Sequence, residues 1–154
     1  MKYPIILLIF FLFGCSSKHY EITQTKIITL KTKEFKYSDL GYIRSSANDV
    51  ELELFSAGKS LFKVEIGNFI CTSQGCVRKK IFNEKYFTSH YPDDLLQNVI
   101  LGKPILNAKN IKYLNDGFSQ KIETENVNID YIVGNRGIFF KDKKNAILIK
   151  IRDN

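Results

Sequence analysis

The chain has 154 residues and carries 23 lysines and arginines against 16 acidic residues, a formal charge of +7. That size suits one domain around one core. Three cysteines and two histidines, His19 and His90, at no metal-site spacing exclude a recognisable zinc site.

The first element is an apolar run from Tyr3 to Gly14, preceded by Lys2. It is about half the ~20 residues needed to span a hydrocarbon core. A charged start, a short apolar stretch and a small residue at the cut describe a secretory signal instead. Leu12-Phe13-Gly14-Cys15 resembles the lipobox of bacterial lipoproteins. That resemblance implies cleavage before Cys15, a diacylglycerol on its sulfur and an acyl chain on its new amino group. Several acyl chains, at ~0.8 kcal/mol per buried methylene, anchor a protein stably. Ser16, in place of an aspartate, resembles the sorting pattern that sends enterobacterial lipoproteins to the outer membrane. The expected location is therefore the periplasmic face of the outer membrane, with a lipid anchor. Residues 1–14 are read as a cleaved signal peptide, 15–23 as lipidated N-terminus and tether, and 24–154 as a single β-rich domain.

Past the cut the chain keeps 22 basic residues against 16 acidic ones, about +6. Such a charge favours anionic surfaces, and for an exported protein these are lipid headgroups rather than nucleic acid. Lys31, Lys33 and Lys36, Arg78 to Lys80, and Lys141, Lys143 and Lys144 are read as solvated strand ends and turns.

Beyond the polar spacer, period-2 patterning dominates. Val50, Leu52 and Leu54 alternate with Glu51 and Glu53; after the turn at 56–60, Phe62, Val64 and Ile66 alternate with Lys63 and Glu65. This predicts a hairpin with one apolar face. Further strands are predicted at 24–30, 35–43, 68–71, 76–80, 110–114, 118–124, 127–133, 137–141 and 146–152, eleven in all. In "CTSQGC" at 71–76 the cysteines flank four turn-forming residues. They can face each other across a hairpin at bridging distance, so a Cys71–Cys76 disulfide is expected, formed in an oxidising compartment.

Mid-chain, "YPDDLLQNVILG" places Pro92 in a first helical turn, Asp93 and Asp94 at the positive helix end, and Gly102 just past the last turn. Leu95, Leu96, Val99 and Ile100 share one face of that helix. A second short helix is predicted at 82–87, with Phe82, Tyr86 and Phe87 roughly aligned. No Gly-rich phosphate loop, internal repeat or low-complexity tract is present. Consecutive strands with short links favour an antiparallel meander. Such a sheet either closes on its own side chains or stays open, lidded by the helices over a cavity.

The lipobox, the strand count, the central helices and "LLQNVILGKPI" at 95–105, followed by a meander ending "ILIKIRDN", resemble the LolA/LolB family. These are periplasmic carriers and receptors that pass lipoproteins to the outer membrane. The resemblance implies a mainly β fold: an open antiparallel half-barrel of about eleven strands with two short mid-chain helices as lid. It also implies a lipid-anchored, LolB-like binding protein without chemistry. It would accept acyl chains of lipoproteins or lipids and exchange them with a periplasmic carrier protein. Val50, Leu52, Leu54, Phe62, Val64 and Ile66 from the sheet, with Leu95, Leu96, Val99 and Ile100 from the lid, would line the cavity. The apolar loop that such members use on the membrane falls at 56–61, with Ala57 and Leu61.

His90 beside Asp93 and Asp94 is the closest approach to a catalytic cluster, but it sits at a helix start where aspartates serve capping. A Cys71–Cys76 bridge would remove the thiolate that a cysteine nucleophile needs. No catalytic residue, metal or cofactor is expected. The alternative to a carrier is a non-catalytic scaffold lipoprotein docking onto an envelope assembly through tyrosines and phenylalanines such as Tyr20, Tyr42, Tyr91 and Phe139.

Overall fold

The computed structural model describes residues 19–154. Residues 1–14, read above as a signal peptide, and the lipidation candidate Cys15 lie outside the described residues. Strands β1 (Ile22–Lys31), β2 (Lys36–Ser45), β3 (Val50–Ser56), β4 (Lys59–Ile66), β5 (Ile70–Thr72) and β6 (Gly75–Val77) form a meander. Helices α1 (Lys79–Tyr86) and α2 (Leu95–Ile100) follow. Strands β7 (Ile111–Leu114), β8 (Gly117–Glu123), β9 (Asn128–Gly134), β10 (Gly137–Asp142) and β11 (Ile147–Asp153) form a second meander.

Pairing of β1 with β11 joins the two meanders, giving one eleven-stranded antiparallel sheet in the order β6-β5-β4-β3-β2-β1-β11-β10-β9-β8-β7. The edge strands β6 and β7 do not pair with each other, so the sheet is open. Both edges are short, three and four residues, which limits pairing with other chains.

Side-chain alternation decides the faces. Val50 pairs with Ile66, Leu52 with Val64 and Leu54 with Phe62, so the aliphatic members of this hairpin share the inner face. Ala57 and Gly58, both at positive φ, make the tight β3–β4 turn. The inner face of the second meander is aromatic: Phe118, Tyr131 and Phe140 are buried, and Tyr91 packs edge-on against Phe140 at 6.1 Å. Tyr131 stands between Phe118 and Phe140 at 5.6 and 6.0 Å, both edge-on.

Leu95, Leu96, Val99 and Ile100 of α2 are all buried. The helix is shorter than the pattern at 92–101 suggests. Pro92 to Asp94 form a turn instead, and Gly102 ends α2 with φ of +65°. The helix expected at 82–87 spans Lys79–Tyr86, so Lys79 and Lys80, expected at the end of a strand, open α1 instead. Arg78, extended at its N-cap, marks the change. Among the described residues no helix is long and apolar enough to cross a membrane.

Candidate functional site

A cavity of about 170 Å³ lies between the first meander and α1. Leu30, Leu52, Phe62 and Val64 supply its sheet wall, and Phe82, Tyr86, Phe87 and Leu96 its helical wall. Thr32, Glu34 and Phe35 of the β1–β2 hairpin complete it. Thr32 is buried, and its hydroxyl accepts the N–H groups of Glu34 and Phe35 at 3.3 and 3.0 Å. That leaves Glu34, which is exposed, as the charged group at the opening.

Of the ten residues that the sequence assigned to an acyl cavity, Leu52, Phe62, Val64 and Leu96 stand on its wall. The other six, Val50, Leu54, Ile66, Leu95, Val99 and Ile100, are core residues, each at most 3% exposed. They belong to the same hydrophobic core as the four but do not border the cavity. Leu30, Phe35, Tyr86 and Phe87 enter the wall unanticipated; the alignment of Phe82, Tyr86 and Phe87 in the sequence was the available signal.

The lid is built differently at its two ends. In α1, Phe82 packs against Tyr86 and Phe87 at 4.6 and 6.2 Å, a cluster of rings over the cavity. The disulfide lies just ahead of it. Cys71 and Cys76 are cross-strand partners in β5 and β6, bonded with their Cα atoms 4.0 Å apart. The bridge holds the short edge hairpin from which α1 starts. The α1–α2 connection is tied down by polar contacts. Asn83 Nδ2 donates to the Pro92 carbonyl at 3.1 Å, and the Tyr91 hydroxyl donates to Asp142 Oδ2 at 2.9 Å. Burial, then the Asp142 carboxylate, pushes the Tyr91 hydroxyl's pKa well up and keeps it protonated.

Past α2, Leu106, Asn107 and Ala108 all take positive φ, 50°, 53° and 57°. A left-handed residue other than glycine costs about 1–2 kcal/mol. The buried Gln120 side chain holds this turn: its Oε1 accepts from Ile105 N–H at 2.8 Å, and its Nε2 donates to the carbonyls of Ile105 and Lys109 at 3.0 and 2.8 Å.

The outer face of β2–β4 is a charged lattice. Glu51, only 3% exposed, is paired with Arg44, and with Lys63 at 2.8 Å; Arg44 also reaches Glu53 at 2.9 Å. The hydrogen bond that Lys63 donates to Glu51 raises the Lys63 pKa. Burial pushes the Glu53 carboxyl up, but Arg44, Ser60 and Lys63 together hold it below the usual carboxylate range. Tyr20 lies over this lattice, its hydroxyl raised to about 12 by burial and by Glu51 and Glu65.

His90, Asp93 and Asp94 are all exposed. The His90 backbone N–H donates to Thr88 Oγ1, and Asp94 accepts from Asn98 Nδ2 at 2.9 Å. No family model matches the chain, and no curated protein matches it.

Proposed function

We propose that the chain is a lipid-anchored, LolB-like binding protein of the outer membrane's periplasmic face, which accepts an acyl chain of a lipoprotein or lipid without chemical conversion. The observation that carries this reading is the apolar cavity under α1, in an open sheet that two short helices cover. Non-polar walls with one charged group at the mouth suit a hydrocarbon tail whose polar end stays in water.

The volume limits what enters. A cavity of about 150 Å³ takes a ligand the size of benzene, so about 170 Å³ holds roughly six carbons of a chain. At ~0.8 kcal/mol per methylene this contributes about 5 kcal/mol before the costs of association. The resting state therefore binds a chain end weakly, and a whole chain enters only as α1 swings out. The hinge for that motion is the disulfide-bonded hairpin from which α1 starts.

Titration with a fluorescent acyl probe, read beside native mass spectrometry, tests this. Val64→Phe fills the cavity from β4 and should abolish probe binding while leaving the melting temperature nearly unchanged. A wild-type protein that takes up no probe at millimolar concentration, and instead co-purifies with a protein partner, would establish the scaffold reading.

A further inference from the structure

We propose that the end of the sheet around the β9–β10 turn is a bilayer-docking surface that meets anionic lipid headgroups and turns the cavity mouth away from the membrane. The proposal rests on the lipid anchor at Cys15 and is independent of what the cavity binds.

Chain length fixes which end is near the bilayer. His19 follows Cys15 by four positions, a span of at most about 14 Å even for a fully extended chain. β1 begins three residues later, at Ile22. Ile22, Asn135 and Arg152 line one depression of about 460 Å³. The start of β1, the β9–β10 turn and the end of β11 therefore share one end of the molecule. The β1–β2 hairpin with Glu34 lies at the other, about 30 Å away along the ten residues of β1.

The chemistry of the near end fits a headgroup layer. A trough of about 500 Å³ runs over the outer face of β8–β10. Gly134 pairs with Gly137, and Gly117 adjoins them because Phe118 pairs with Val133, so three neighbouring strands present no side chain there. Gly137 is required: its φ is +104°, and a Cβ would stand 2.1 Å from the Ile151 carbonyl oxygen.

Ile132, Phe139 and Leu114 wall the trough, and Arg136, Lys150 and Arg152 surround it. Lys150 Nζ lies 5.5 Å from the Phe139 ring centre, and none of the three cations is held in an ion pair among the described residues. The one acid in the trough, Asp116, accepts the Asn135 N–H at 3.2 Å. Nearby Asp153 is bonded to Lys26 at 2.5 Å. Apolar side chains are bare at this end: Tyr113 is 81% exposed, Ile22 53%, Leu114 47% and Ile132 44%. Free cations beside exposed aromatic and aliphatic groups are what an anionic interface attracts. The outer face of β2–β4 offers the opposite, carboxylates already matched to Arg44 and Lys63.

The test uses the lipidated protein in vesicles, with a fluorophore on Asn135→Cys, Lys33→Cys or Gly58→Cys and a quencher on the lipid headgroups. On vesicles containing phosphatidylglycerol, the label at 135 should be quenched more strongly than those at 33 and 58. That preference should vanish on phosphatidylcholine alone, and in an Arg136→Gln, Lys150→Gln, Arg152→Gln variant. Three such cations near a charged surface correspond to about a hundredfold in local partition. Equal quenching at all sites, or stronger quenching at 33 or 58, overturns the proposal. So does a chain that carries no lipid at Cys15, which would also remove the anchor while leaving acyl-probe binding intact.

Discussion

The two meanders share a sheet but solve their inner faces in different ways. The first is mostly aliphatic, with Val50, Leu52, Leu54, Val64 and Ile66 buried beside Tyr37, whose hydroxyl bonds the Phe55 backbone, and α1 rests over it through Phe82 and Tyr86. The second is aromatic and polar: Tyr131 and Phe140 are fully buried, and Asp142 collects the Tyr91 hydroxyl and the N–H groups of Asn128, Lys144 and Asn145. Large rings around a hydrogen-bonded carboxylate pack the second face. The shorter aliphatic rows of the first leave a cavity under α1, although Asn83 and Lys79 tie that helix to Pro92 and Gln97. Their outer faces are reversed too: carboxylate lattice on the first, apolar and basic trough on the second.

Paired truncations break this contrast if it is wrong. Phe140→Ala should cost about 3–5 kcal/mol in denaturant unfolding, as complete burial of a large ring requires. Phe62→Ala, half-buried beside space already empty, should cost about 1–2 kcal/mol. Equal losses would mean that the first meander is as tightly filled as the second.

The disulfide sharpens the same comparison from the lid side. Replacing Cys71 and Cys76 with serine should cost about 2 kcal/mol, since the closed loop is short. Amide exchange should accelerate in α1 and leave α2 unchanged.

The smallest effect concerns the carboxylate lattice. Glu53 is held below its ordinary pKa, so its contribution is complete above the unfolded value of about 4.3 and disappears as pH falls through the lower folded one. Glu53→Gln should flatten the decline of melting temperature with acid in that window, whereas Glu123→Gln, on β8, should not.

Periodicity made the sheet legible because most strands have one dry face, and alternation reports that directly; the edge strands β6 and β7 have none. The helices were legible less well. At 76–80 a strand pattern ran past the point where Arg78 turns the backbone, and α2 lost its first residues to the turn after Pro92. The cavity was legible only in part, because alternation says which side a residue faces and not whether that side is filled. Val50 and Leu52 look alike in sequence, yet one packs in the core and the other borders the void. Leu30 and Phe35 join the wall through the bend of a hairpin, and Tyr86 and Phe87 through a helix docked from elsewhere. Gln120 left a trace: a polar residue at an inward position between Phe118 and Ile122 marks a buried clasp.

Pairing of β1 with β11 places the first and the eleventh strand side by side in the middle of the sheet. Lys26 and Asp153, 127 residues apart, meet across that seam. Until β11 arrives, the nascent chain consists of two half-sheets with greasy undersides and no shared seam. Such long-range closure is slow and prone to aggregation. A stop codon before Ile147 would therefore remove the keystone rather than trim an edge, and the two halves would separate.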